Sequence, residues 1–173
     1  LSNERMGTFI ANDPTLNDLV SRFSSRGPRR TDSLLKPDIT APGQTIFSTA
    51  ALTGNQGVSF NGTSMAAPHI SGVMALLRQL RPGWSVEELK ALVMNTANHD
   101  LFTAAGQTGN KYGPARVGAG RVDVEQAARS FVVLYNANDE EAVSVSYRNI
   151  EVVGTYTAEK VVKVVDKHAS QTF

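Results

Sequence analysis

The sequence predicts an α/β chain that runs into a β-rich tail, on three observations. Several short strands bounded by Gly, Pro and Ser lead into a long apolar helix over residues 64–80. A second helix follows with a full set of start signals, and from Phe131 the apolar residues change to a period of two.

The short strands are expected at 20–23, 38–40, 45–48 and 58–60. The helix after them is apolar nearly all round, with Met65, Ile70, Val73, Met74, Leu76, Leu77 and Leu80, and its first half carries the small residues Ala66, Ala67, Ser71 and Gly72. Such a helix belongs at the centre of a domain, packed on several sides. Next, Ser85 with Glu88 three residues on forms a capping box, and Trp84 is placed to staple onto Leu89. Val86, Leu89, Val93 and Thr96 then share one helical face, and Trp84 is assigned to structure. Residues 100–117 read as a loop rich in Gly, Thr and Asn, and Asp123 with Gln126 opens a last short helix through Arg129. Strand-like runs follow at 131–135, 142–147, 150–153 and 160–165. The paired valines 161–162 and 164–165 also fit a helix face, but their β-branching favours strand. Residues 1–19 are polar and irregular, with a turn at Asn12-Asp13-Pro14-Thr15.

Length and composition bound the rest. The 173 residues suffice for one domain, or a domain and part of another. With 41% hydrophobic and 19% charged residues the chain can bury a core, and a net charge of +1 gives no general pull toward nucleic acid or anionic membrane. No run approaches the ~20 apolar residues of a membrane helix. Cysteine is absent, which removes disulfides, thiol nucleophiles and thiolate metal sites. No signal peptide is visible, and a chain that starts at Leu1 is expected to be a piece of a longer protein. The histidines are isolated and no acidic cluster has calcium-loop spacing, so no metal site is expected. Asp139-Glu140-Glu141 reads as a solvated turn, and Arg29-Arg30 as a solvated basic pair.

The chemistry concentrates in Gly62-Thr63-Ser64-Met65-Ala66-Ala67-Pro68-His69. Ser64 stands in the first turn of the long helix, where unpaired N–H groups and the positive end of the dipole favour a developing oxyanion. Asn61-Gly62 ahead of it lets another backbone come close, because glycine has no side chain to block it. A Thr-Ser pair alone would be an ordinary N-cap. Pro68 argues otherwise: it removes the amide that would bond the Ser64 carbonyl, a loss that a purely structural helix avoids.

This run resembles the nucleophile motif of the subtilisin-like serine proteases. So do the blocks Phe23-Ser24-Ser25-Arg26-Gly27-Pro28 and Lys36-Pro37-Asp38-Ile39-Thr40-Ala41-Pro42-Gly43 before it, and Pro82-Gly83-Trp84-Ser85 and Gly118-Ala119-Gly120-Arg121-Val122-Asp123 after it. The resemblance spans about residues 20–128 in family order. It implies the C-terminal part of a subtilisin-like catalytic domain over 20–130, with a central helix carrying the nucleophile, short strands and flanking helices. Residues 131–173 then resemble an incomplete fibronectin-like segment, too short for a sandwich of ~100 residues. Residues 1–19 fit the return from a domain inserted upstream in some members.

The resemblance implies a serine endopeptidase working through an acyl-enzyme, with Ser64 as nucleophile and its N–H as one oxyanion donor. Asn61, Gly62, Thr63 and Met65 are implied as walls around the scissile bond. Family order is Asp, His, Ser, and no segment here resembles the first two motifs, nor the asparagine that completes the oxyanion hole. The chain alone is therefore expected to be inactive, needing the upstream half of the domain to act on polypeptide substrates. His69 lies about 140° around the helix from Ser64 and is not the family's base. His99 and His168 read as surface residues, and nothing specifies a geometry joining His99 to a carboxylate such as Asp38. Calcium is an expectation for the parent and not for this segment, and an extracellular or cell-surface location comes from the resemblance alone. Two other readings differ in class. One is a non-catalytic relative that keeps the fold as a binding or scaffold protein, and the other is an α/β-hydrolase lipase or esterase, whose Gly-x-Ser-x-Gly elbow fails here at Ala66.

Overall fold

The capping box written into Ser85-Val86-Glu87-Glu88 sets the helix around which the core is built. The computed structural model describes residues 14–139 and 142–168. After a short 3₁₀ turn (Pro14–Leu16) come β1 (Ile46–Thr49) and β2 (Gly57–Phe60), then helices α1 (Thr63–Leu80) and α2 (Val86–Asn95). β3 (Phe102–Ala104), β4 (Thr108–Lys111), the single-turn α3 (Pro114–Val117), α4 (Val124–Arg129), β5 (Val132–Asn136) and β6 (Val162–Asp166) complete the order. The strands pair as three antiparallel two-stranded sheets, β1–β2, β3–β4 and β5–β6.

In α2 the Ser85 hydroxyl accepts from the Glu88 N–H at 3.1 Å, and the Glu88 carboxylate accepts from the Ser85 N–H at 2.9 Å. Two N–H groups that a helix start leaves open are thereby closed. The helix buries Leu89, Ala91, Leu92 and Val93. Against them pack Val73 and Leu77 of α1, Val122, Ala127 of α4, and Val133, Tyr135 and Val143 from the β-rich tail. The tail thus shares the core of the helices. The Leu134 N–H donates to the Asn95 side-chain oxygen at 2.7 Å, and Lys167 reaches Glu88 at 2.7 Å.

Arg81, at the end of α1, closes the other side. Its buried guanidinium donates to the carbonyls of Ala128 at 2.6 Å and Ser130 at 2.7 Å. It lies 4.7 Å from the Trp84 ring and 4.1 Å from the Phe131 ring, so both aromatic residues serve structure here.

Several expectations change. The segments 20–23 and 38–40 form no strand; Thr40 makes only an isolated bridge to Arg121. The supposed loop 100–117 holds the β3–β4 hairpin and α3, because Gly106 at a φ of 70° turns the chain back on itself. Helix α1 is covered on one side only: Val73 and Leu77 are buried, while Leu76 and Leu80 stay 58% and 57% exposed. Its packed neighbours α2 and α4 leave Leu76 and Leu80 uncovered, so the all-round apolar pattern ends in a bare flank. Val86 is exposed as well, so the buried face of α2 centres on Leu89, Leu92 and Val93.

In the tail, 142–147 and 150–153 form no strand. Val143 accepts from the Asn136 N–H at 2.8 Å and is buried, but residues 149–161 are exposed. A period-two run becomes a strand only where a second strand offers a ladder. The proposed insert return at 1–19 lies mostly outside the described residues, as do Asn12 and Asp13 of the expected turn and Glu140 and Glu141.

Candidate active site

The start of α1 is held from below by the Ala41-Pro42-Gly43 loop. Thr40 donates its N–H to the Gly120 carbonyl at 2.8 Å and accepts from the Val122 N–H at 2.8 Å, while Arg121 exchanges both backbone bonds with Asn98. Three distant segments therefore fix where the loop begins. The Gly43 carbonyl accepts from the Gly62 N–H at 2.8 Å, and the Asn61 side-chain oxygen accepts from the Thr45 N–H. A Cβ at Gly43 would lie 2.8 Å from the Gly62 carbonyl oxygen, so only glycine allows this approach. Gly62 is different: a Cβ there would meet nothing closer than the Ser64 nitrogen at 3.6 Å and the Met65 sulfur at 3.7 Å. A side chain there would make ordinary contact with those two residues and no clash.

Gly62 is the N-cap of α1, and no side chain caps the helix. Ser64 is the second helical residue and exposed. Among the described residues neither its N–H nor its hydroxyl has a hydrogen-bond partner. Pro68 inside the helix has no N–H to give the Ser64 carbonyl. An 18-residue helix thus points its positive end at an exposed serine with an unclaimed amide donor. Around it, Thr63 and Asn61 are exposed, while Gly62 and Met65 are half-buried.

The histidines are not brought to Ser64. His69 Nδ1 bonds the Met65 carbonyl one turn back at 2.8 Å. His99 pairs with Asp100 at 2.6 Å, and His168 with Asp166 at 2.9 Å. Asp38 takes Lys36 at 2.6 Å and Lys90 at 3.4 Å, and its own carbonyl accepts from the Ala119 N–H at 3.0 Å. Asp38 is a structural hub, with no histidine among these partners.

Beside Thr63 opens a cavity of about 270 Å³ walled by the loop from Ser24 to Arg29 and by Lys36 and Pro37. The residue that holds this wall was invisible in the sequence. Arg116 of α3 is buried and donates to the carbonyls of Ser21 at 2.9 Å, Ser25 at 3.2 Å, and Ser24. The Gly27 N–H adds a bond to the Ala115 carbonyl at 2.8 Å. A single arginine between Ala115 and Val117 looks like a surface residue until the fold brings the serine loop over it. Of the cations along the cavity, Arg29 is paired with Asp32 and Lys36 with Asp38. The Arg29 guanidinium holds the Asp32 carboxyl well below the usual carboxylate range.

Comparison with known proteins gives the family. The family model described as "Subtilase family" matches residues 8–130. The chain belongs to the subtilase family. It is 40% identical over 119 residues to the minor extracellular protease Vpr of Bacillus subtilis, a match covering 66% of this chain and 14% of that protein. It is 37% identical over 161 residues to subtilisin-like protease SBT1.4 of Arabidopsis thaliana, covering 80% of this chain and 20% of that protein. Among solved structures, the CspB protease of Clostridium perfringens matches with a TM-score of 0.53 and 34% identity, covering 65% of this chain and 24% of that one. This subtilase chain therefore spans only a seventh to a fifth of these curated relatives. Its mixed helices and short strands are a portion of the subtilisin-like fold. Two relatives are named as extracellular or secreted proteases. Among the described residues no helix is long and apolar enough to cross a membrane.

Proposed function

We propose that this chain is the nucleophile-bearing part of a secreted subtilisin-like serine endopeptidase, with Ser64 attacking the peptide carbonyl. The observation that carries the reading is the exposed Ser64 in the first turn of α1, its hydroxyl and N–H both without partners among the described residues. The hydroxyl adds to the scissile carbonyl as a base takes its proton, the Ser64 N–H donates to the resulting oxyanion, and water then releases the acyl group. Asn61, Gly62, Thr63 and Met65 line the path of the substrate. The base and its orienting carboxylate come from elsewhere in the intact protein, so the 173-residue chain alone hydrolyses no peptide. Residues 20–130 form the catalytic portion, 131–173 begin a β-rich, fibronectin-like unit, and 1–19 return from an inserted domain.

A fluorophosphonate probe tests this on the intact protein. Labelling at Ser64, abolished in Ser64→Ala, supports the endopeptidase. An inert Ser64 in the folded protein favours a non-catalytic relative that uses the same fold for binding.

A further inference from the structure

We infer that the cavity beside Thr63 is a subsite for an acidic side chain of the polypeptide substrate, with Arg26 supplying the charge that selects it. This rests on the reading of Ser64 as nucleophile, because Thr63 both lines the cavity and precedes that residue.

Charge is the first ground. Three cations line the cavity, Arg26, Arg29 and Lys36. Arg29 is satisfied by Asp32, and Lys36 by Asp38. Arg26 is exposed and has no ion-pair partner among the described residues, so the cavity carries one uncompensated positive charge. The guanidinium presents a planar fork of donors that matches a carboxylate and offers nothing to a lysine.

The second ground is the supply of acceptors. A peptide loop ordinarily turns some carbonyls toward a neighbouring cavity, where they would repel a carboxylate. Here the Ser24 and Ser25 carbonyls are both taken by Arg116 from behind. Gly27 packs so closely on Lys36 that a Cβ would lie 1.8 Å from the Lys36 carbonyl oxygen, so only glycine fits in this wall. Arg26 and the hydroxyl-bearing residues Ser24, Ser25 and Thr63 stand among the residues that line the cavity, and each carries a side-chain donor. Arg116 is in this sense a positioning residue, and Arg26 determines specificity.

The test uses the intact protease and paired peptides that carry Glu or its isostere Gln at each position on either side of the scissile bond. At one position Glu is expected to raise kcat/KM about three- to tenfold over Gln, with the ratio shrinking as salt rises. Arg26→Gln brings that ratio to about one, Arg26→Lys keeps a preference, and Arg26→Glu turns it toward a basic side chain. Because each ratio is taken within one variant, a loss of folded protein cancels. A ratio of one at every position, or a Glu preference that survives Arg26→Gln, overturns the subsite. Fluorophosphonate labelling of Ser64 in the same samples keeps the two readings apart. Labelled, cleaving enzyme without acidic preference sinks only the subsite, whereas unlabelled, inactive wild type sinks the endopeptidase itself.

Discussion

Helices α1 and α2 stand side by side and are finished in opposite ways. Helix α2 has its first amides closed by Ser85 and Glu88 and buries four residues in ten. Helix α1 starts at a glycine with no side-chain cap, leaves Ser64 exposed, contains a proline, and buries two residues in eighteen. Helix α2 has a capping box and an acidic first turn, whereas α1 leaves the Ser64 amide without a partner among the described residues and one apolar flank exposed. On the proposed function, stability and reactivity are divided between neighbours: α2 anchors the core, and α1 presents the exposed Ser64. Open donors at a helix start are a cost in a structural helix and an asset beside a developing anion.

Substitutions can break that division. The largest effect is expected from Ser64→Ala, which should lower kcat of the intact protease about 10⁶-fold. Its unfolding free energy should change by no more than about 0.5 kcal/mol, since the hydroxyl has no partner to lose among the described residues. Leu92→Ala reverses the pattern: Leu92 is fully buried, and its truncation should cost about 2–5 kcal/mol by urea denaturation. If Ser64→Ala destabilises as much as Leu92→Ala, the two helices are not divided as described.

Arg116→Met fills similar volume but strips the carbonyls of Ser21, Ser24 and Ser25 of their donor. A cost of about 2–3 kcal/mol is expected, with kcat falling about tenfold as the serine loop shifts beside Thr63. Arg116→Lys should recover part of kcat through one of the lost bonds. Steady-state kinetics on equal amounts of folded protein separates the two effects, and a stability loss with unchanged kcat would reduce Arg116 to scaffolding.

The smallest effect sharpens the α2 side. Burial pushes the Glu88 carboxyl up, but the Lys167 ammonium and the Ser85 N–H outweigh it and leave it below its usual value of 4.5. A depressed carboxyl adds stability that is fully present above pH 4.5 and is lost as pH falls through the folded-state value. Glu88→Gln keeps an oxygen for the capping box and loses the ion pair, so it should cost about 0.5–1 kcal/mol at neutral pH and converge with the wild type in acid. Trp84, the single tryptophan, lies 5.6 Å from Lys167 and gives a fluorescence signal for following this. A difference that persists below the folded-state value of the Glu88 carboxyl would show that the ion pair is not its source.

What could be read in advance follows the reach of the interactions involved. The Ser85–Glu88 box and the span of α1 are local patterns, and they appear in the structure within a residue or two of where the sequence places them. The hairpin of β3 and β4 was missed because polar, glycine-rich pairs such as Thr108-Gly109 carry no alternation to betray a strand. The strand expected at 20–23 rests on its flanking Gly, Pro and Ser residues and the one at 150–153 on alternation, and neither segment forms a strand.

The sequence by itself determined where α1, α2 and α4 start and which serine stands at the head of α1, because caps and helical spacing act over a few residues. Tertiary structure alone decided which flank of α1 is covered, that the tail docks on α2, and that Arg116 braces a loop some ninety residues away. Those outcomes depend on contacts between segments far apart in the chain, and no short window of residues records the partner that burial and hydrogen bonding will supply.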